Sequence, residues 1–307
     1  MRAFACIRTL ACCLITGTGV SAAELPPKDG RKCGDVLTVD LGGDAKLDLV
    51  WVPAGKFLMG SPEAEAGRDK NEGPQHEVTL TKGFWVGRHL VTQAQWERVT
   101  GSNPSQFKGP ALPVETVSWN DCQDFLRALN ERHAVPGHEF RLPTEAQWEY
   151  ACRAGTTTRF HFGDDADPSM ANFVVAAPAG KPGDGKPDDG KAHGGNAAAP
   201  KGTTAVGTYK PNAWGLYDMH GNLSQWCADG INGYRKGPAT DPVNPPGHPV
   251  LRGGSWADDA AKSRSAKRWR DPVATKKDKI GFRVVLVERQ PAAERGPTEK
   301  AGSGVGP

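Results

Sequence analysis

Arg141-Leu142-Pro143-Thr144-Glu145-Ala146-Gln147-Trp148-Glu149-Tyr150-Ala151 contains a complete helix start. Thr144 can accept an orphan backbone amide on its hydroxyl, and Gln147, three residues on, can reach back to the threonine's own N–H. Trp148, Ala151 and Cys152 then follow, and Gly155 is placed to end the helix. Two other stretches are built alike. Thr92-Gln93-Ala94-Gln95 has the same capping form and puts Trp96 and Val99 on one face. Ser118 precedes Trp119, Cys122, Phe125, Leu126 and Leu129, spaced three or four apart, which predicts a helix running to Arg132. Around these lie short strand candidates at 48–53, 56–59, 76–80, 84–86, 250–252 and 280–286, with Ala54-Gly55 read as a hairpin turn joining the first two. A few short helices and strands set in much ordered loop define an α+β domain.

Composition agrees. Gly 38 and Pro 25 in 307 residues come to about a fifth of the chain, above the usual background of about 12%. That excludes a helical bundle, a coiled coil and a multi-pass membrane protein. Nine tryptophans imply a real core. A net charge of +3 on 38 basic and 35 acidic residues excludes a general electrostatic nucleic-acid binder.

The ends differ in character from the body. Arg2 and Arg8, the apolar residues 10–20 and the small-residue site Val20-Ser21-Ala22 read as a signal peptide over 1–22. The apolar stretch is shorter than the roughly 20 residues a membrane-spanning helix needs. The chain is therefore expected to be exported, periplasmic or secreted, with no transmembrane span. Cys12 and Cys13 leave a lipoprotein open as the alternative to simple cleavage. Residues 23–35 read as a linker, 36–288 as the folded body, about 175–204 as a low-complexity insertion and 289–307 as a disordered tail, the last two having almost nothing apolar to bury. After cleavage Cys33, Cys122, Cys152 and Cys227 remain; they allow three disulfide pairings among which sequence does not choose, and they form no Cys-x-x-Cys pair.

Six ordered motifs carry a resemblance. Val52-Pro53-Ala54-Gly55-Lys56-Phe57-Leu58-Met59-Gly60-Ser61, Pro113-Val114 with Val117-Ser118-Trp119, the 141–151 stretch, Asn212-Ala213-Trp214-Gly215-Leu216-Tyr217-Asp218-Met219 with Gly221-Asn222, Arg252-Gly253-Gly254-Ser255-Trp256 and Gly281-Phe282-Arg283 resemble, in order, the motifs of formylglycine-generating enzymes, the sulfatase-modifying factors. The resemblance implies a loop-rich variant of the C-type-lectin-like fold. It also implies oxidation of a cysteine in a sulfatase Cys-x-Pro-x-Arg segment to formylglycine, using oxygen and two cysteines that bind copper(I).

This chain departs from that pattern at the working parts. The two family cysteines fall two and seven residues past the aromatic of the Gly-Gly-Ser motif; here those positions are Asp258 and Ser263, and no cysteine follows Cys227. Soft thiolates select copper(I), and a carboxylate and a hydroxyl do not, so copper is not expected. The family's Gly-Asn-Val-Trp-Glu-Trp reads Gly221-Asn222-Leu223-Ser224-Gln225-Trp226 here. A calcium loop carried over from the family would use the side chains of Asp218 and Gln225 and the carbonyls of Gly221 and Leu223, with one carboxylate lost. The same resemblance makes Ser255 and Trp256 groove candidates. A basic run from 262 to 279, which includes Arg264 and Arg268, suggests a groove wall for an anionic partner, an acidic peptide, protein or anionic glycan. Its bland reading is a solvated face. No His-Glu-x-x-His helix is present.

Two functions follow from different classes. One is a catalytically altered binding or accessory module on this scaffold. The other is an oxidoreductase that makes formylglycine, or a related protein oxidation, by another route. The missing thiols favour the first.

Overall fold

The computed structural model describes residue 25 and residues 30–175, 200–245 and 247–289. The expected signal peptide over 1–22, most of the expected low-complexity insertion and the expected tail past 289 lie outside the described residues. In chain order the elements are β1 (Val36–Asp40), β2 (Lys46–Val52), β3 (Gly55–Met59), β4 (His76–Leu80), β5 (Phe84–Gly87), α1 (Gln93–Thr100), α2 (Trp119–Arg132), β6 (His138–Arg141), α3 (Glu145–Arg153), β7 (Ser224–Gly230), β8 (Ala239–Thr240), β9 (Pro249–Arg252), β10 (Arg268–Arg270), β11 (Ile280–Gly281) and β12 (Val285–Glu288). They form a five-stranded sheet in the order β1-β2-β5-β12-β6, a four-stranded sheet β10-β9-β7-β11 and a three-stranded sheet β3-β4-β8.

All three helices start at a closed capping box. Thr92, Ser118 and Thr144 accept the amides of Gln95, Asp121 and Gln147, and each of those side chains returns to the cap's own N–H. The third helix ends one residue before the expected glycine. Ala154 itself takes the left-handed conformation, φ 46°, and gives its N–H to the Tyr150 carbonyl.

The five-stranded sheet is apolar on both faces. Leu49, Trp85 and Leu286 face one core with Trp96, Phe125 and Leu129 of α1 and α2. Their neighbours Val50, Val86 and Val285 face a second core with Ala146, Trp148, Ala151 and Cys152 of α3. The period of two along each strand makes this division. Every residue of α3 is buried, so the helix is internal rather than amphipathic on the surface.

Two expectations are corrected. Residues 48–53 and 56–59 are not a hairpin: β2 pairs with β1 and β5, whereas β3 pairs with β4 in another sheet. The turn at Ala54 hands the chain from sheet to sheet, and at Gly55 an added Cβ would run into the Tyr150 hydroxyl. Residues 280–286 are not one strand. β11 runs parallel to β7 in the four-stranded sheet, β12 runs antiparallel to β5 and β6 in the five-stranded one, and Phe282-Arg283-Val284 crosses between them. Cys33, Cys122, Cys152 and Cys227 are free thiols, the last three buried.

Candidate binding cavity on the four-stranded sheet

Each strand of the β10-β9-β7-β11 sheet gives one residue to a cavity of about 210 Å³: Trp269, Leu251, Ser224 and Ile280. Leu251 stands opposite Trp269, and Ile280 opposite Ser224, so the lining crosses the whole sheet. The Gly253-Gly254 turn, Asp258, Lys262 and Lys267 make one wall; Asp271, Lys277 and Lys279 make the other. Gly254, at φ 68°, has Ser263 Oγ so close that no Cβ fits. The turn is held from behind, where Gly221 gives its N–H to the Gly253 carbonyl (2.8 Å) and Trp256 gives its N–H to that of Asn222 (3.0 Å).

The sequence-derived residues divide around this cavity. Asp258 lines it, accepts the Ser255 hydroxyl at 2.5 Å and lies 3.6 Å from Lys279 Nζ. Ser263 is fully buried and turns its hydroxyl toward the Asp259 carbonyl at 3.4 Å. The two positions therefore present a carboxylate to the cavity and a hydroxyl to the chain's own backbone. Ser255 is buried beneath the wall. Trp256 is half-buried against Phe107 and gives its indole N–H to the Asp278 carbonyl.

Arg264 and Arg268 are corrected as groove-wall residues, because both are fully buried. Arg264 pairs with Glu72 (2.7 Å) and Glu65, and Arg268 makes two bonds to Glu145 of α3 (2.5 and 2.7 Å). Internal carboxylates draw them inward. The lysines of the run do the lining, and β10 turns Trp269 outward, 58% exposed.

The calcium loop does not fit its ion. Asp218 Oδ2 accepts the Gly207 N–H (2.9 Å) and Oδ1 the Asn222 amide (3.3 Å). Gln225 Oε1 is taken by Trp148 Nε1 (2.8 Å) and Arg283 Nε (2.6 Å), and its NH₂ donates to the Asp218 carbonyl (2.9 Å). Calcium takes six to eight oxygens, and here the side-chain oxygens already accept protein hydrogens. Burial pushes the Asp218 carboxyl up, partly opposed by the Gly207 amide and Arg283. Among the described residues no group of three or more His, Cys, Asp or Glu is placed to hold a metal.

One cluster had no sequence signal. Cys152 Sγ lies 3.6 Å from His220 Nε2 and 3.8 Å from Ser265 Oγ, while His220 Nδ1 bonds the Ser263 carbonyl at 2.7 Å. His161 stacks on His220 with ring centroids 5.0 Å apart. Desolvation pushes the Cys152 thiol up to about 12 and the His161 imidazole down to about 4, so both groups stay neutral. His220 is likewise held neutral, by burial first and then by His161. This is a packed, uncharged thiol behind the cavity wall, not a thiolate nucleophile.

The model of the sulfatase-modifying factor enzyme 1-like domain matches residues 43–287, and the chain belongs to that family. Its fold is the loop-rich α+β variant of the C-type-lectin-like fold that the motifs imply. The chain is 30% identical over 213 residues to the chaperone protein LppX of Paenibacillus barcinonensis, covering 59% of this chain and 70% of that one. It is 32% identical over 181 residues to the formylglycine-generating enzyme of Streptomyces coelicolor, 56% of this chain and 50% of that one. It is also 28% identical over 270 residues to the serine/threonine-protein kinase pkn1 of Chlamydia pneumoniae, but spans only 37% of that protein's length and 77% of its own. Among solved structures, PvdO from Pseudomonas aeruginosa superposes with a TM-score of 0.67 at 29% identity, covering 83% of this chain and 99% of that one.

Proposed function

We propose that this protein is an exported binding or accessory module on the sulfatase-modifying-factor scaffold, taking an anionic peptide or glycan segment in the cavity on the four-stranded sheet. The observation that carries the reading is the state of the two thiol positions. Asp258 is tied to Ser255 and lies beside Lys279, and Ser263 is buried against its own backbone. Neither supplies a soft ligand. The copper(I) route of the family needs a pair of thiolates, and the one thiol near these positions among the described residues, Cys152, is fully buried and held protonated.

The binding chemistry follows from the walls. Lys279 sits too far from Asp258 for a hydrogen bond, which leaves its ammonium hydrogens for a ligand. Lys277 pairs with Asp271 at 2.8 Å with its side chain 42% exposed. Such a pair is worth at most about 1 kcal/mol, so an incoming carboxylate or sulfate exchanges with it at little cost. Trp269 offers a flat apolar face at the mouth. Among the described residues no helix is long and apolar enough to cross a membrane.

The test has two arms. A Cys-x-Pro-x-Arg peptide is incubated with the protein, copper(I) and oxygen beside an active family member, and followed by mass spectrometry. The cysteine is expected to stay unmodified; conversion to the aldehyde in this protein overturns the reading. In the second arm a poly-aspartate peptide and a heparin oligosaccharide are titrated by calorimetry. Saturable binding by one of them, weakened by salt and lost in Trp269→Ala with an unchanged melting temperature, is expected. Absence of binding by both sinks the ligand assignment.

A further inference from the structure

We infer that the loop from Asp218 to Gln225 is closed by the Gln225 amide, bonded to the Arg283 guanidinium and to the Asp218 carbonyl, without the calcium that the family resemblance implies, and that the cavity wall it supports is independent of divalent cations. The inference does not depend on what the cavity binds.

The loop is tight. Asp218, Gly221 and Asn222 take φ of 52°, 71° and 61°, all left-handed. Arg283, fully buried at the crossover between β11 and β12, reaches the carbonyls at the loop's start. Its Nη2 donates to the carbonyls of Tyr217 (2.8 Å) and Asp218 (3.1 Å), its Nη1 to that of Gly87 (2.8 Å) and its Nε to Gln225 Oε1 (2.6 Å). One side chain thus fastens the loop to β5 of the five-stranded sheet and to β7 of the four-stranded sheet.

Residue 225 decides whether the loop needs an ion. Its two neighbours on one side, Arg283 Nε and Trp148 Nε1, are both donors, so the oxygen of the amide must face them. The NH₂ then faces the Asp218 carbonyl and donates to it. A glutamate here would turn a second oxygen against that carbonyl, and two acceptors in contact need a cation between them. Glutamine makes the cation unnecessary.

Charge balance points the same way. Asp218 is the carboxylate that acts on Arg283, and burial lowers the arginine to about 10 even with that carboxylate beside it. One buried anion and one buried cation cancel. A calcium ion added to this set would leave two uncompensated positive charges in a site where Asn222 and Gln225 are fully buried, and burying unpaired charge is costly.

The loop also carries the cavity. Gly221 N–H holds the Gly253 carbonyl, and the Asn222 carbonyl holds Trp256 N–H. Whatever folds the loop therefore sets the Gly253-Gly254 wall.

The experiment is a thermal melt of the purified protein in EDTA and in millimolar calcium, with elemental analysis of protein passed through a desalting column in calcium. The expected result is melting temperatures equal within about 1 °C and no retained calcium, since a ligand that does not bind the folded state cannot stabilise it. One calcium retained per chain, or a melting temperature several degrees higher in calcium, overturns the inference. Gln225→Glu is the converse. It is expected to melt lower than wild type in EDTA and to recover in calcium. A Gln225→Glu protein that melts like wild type in EDTA and ignores calcium refutes the role given to position 225.

Discussion

Replacing Glu149 by glutamine tests whether the buried charges of α3 hold this fold together. Glu149 is wholly buried; its Oε1 accepts from Gly60 N–H and Arg153 Nε, each at 2.9 Å, and its Oε2 accepts from Arg252. The amide keeps the size and one acceptor but turns an NH₂ toward a guanidinium. Arg252 is poorly placed to compensate. Its Nε already has no hydrogen-bond partner, and Glu145, which also serves Arg268, is 3.7 Å away. Removing one partner from a buried pair costs about 3–5 kcal/mol, because the other charge stays buried. With total stability of about 5–15 kcal/mol, that is a large share. At about 2–4 °C per kcal/mol for a domain of this size, the melting temperature should fall by roughly 6–20 °C. A thermal melt reads the shift, and urea unfolding followed by tryptophan fluorescence reads the free-energy loss. Lys56→Ala is the control: Lys56 pairs with Glu77 at 2.9 Å with side chains 62% and 44% exposed, and should lose less than about 1 kcal/mol. If Glu149→Gln and Lys56→Ala cost the same, the reasoning fails.

Two further outcomes follow. Asp229, buried with its carboxyl raised to about 6 mainly by desolvation, accepts the Glu145 N–H at 2.5 Å and the Asn244 N–H at 2.7 Å. A raised folded pKa means protonation favours the folded state: the contribution is complete below the ordinary aspartate value of 3.8 and lost as pH rises through about 6, on the order of 3 kcal/mol in all. Asp229→Asn should therefore gain stability relative to wild type on going from pH 4 to pH 7, read from paired urea titrations, and a constant difference would contradict the assignment. Gly254→Ala should lower stability by more than about 1 kcal/mol and weaken ligand binding at the cavity, since its left-handed φ of 68° and the Ser263 hydroxyl leave no place for a Cβ. Alanine at 254 with wild-type melting and binding would remove the turn from the account.

What could be read from the sequence was local. The capping boxes at Thr92, Ser118 and Thr144 lie within four residues each, and all three form. The sheet assignment of β2 and β3 was not legible, because Gly55 is placed by Tyr150, far along the chain. Nor was the direction of the basic run. Hydrophobicity alone would bury Trp269 and expose Arg268; the structure does the reverse because Glu145 on α3 waits beneath β10. Asp258 and Ser263 were legible only through the spacing of the motif. The Cys152–His220 contact joins residues 68 apart and had no signal at all.

The motifs that carry the family resemblance are, in this chain, the parts that hold the fold. The 141–151 stretch makes the internal helix whose glutamates bind Arg252, Arg153 and Arg268. Gly253-Gly254 makes the turn that only glycine fits, and Gly281-Phe282-Arg283 makes the crossover with its guanidinium. None of these roles calls for a thiol or a metal. A chain can therefore keep every one of them while Asp258 and Ser263 stand where the copper ligands would be, and the scaffold has no mechanical reason to fail. Similarity across the motifs accordingly speaks for the architecture. Chemistry has to be argued from the few residues at the cavity, and those are a tethered carboxylate, lysines and an exposed tryptophan, the groups on which the proposal of an anionic ligand rests.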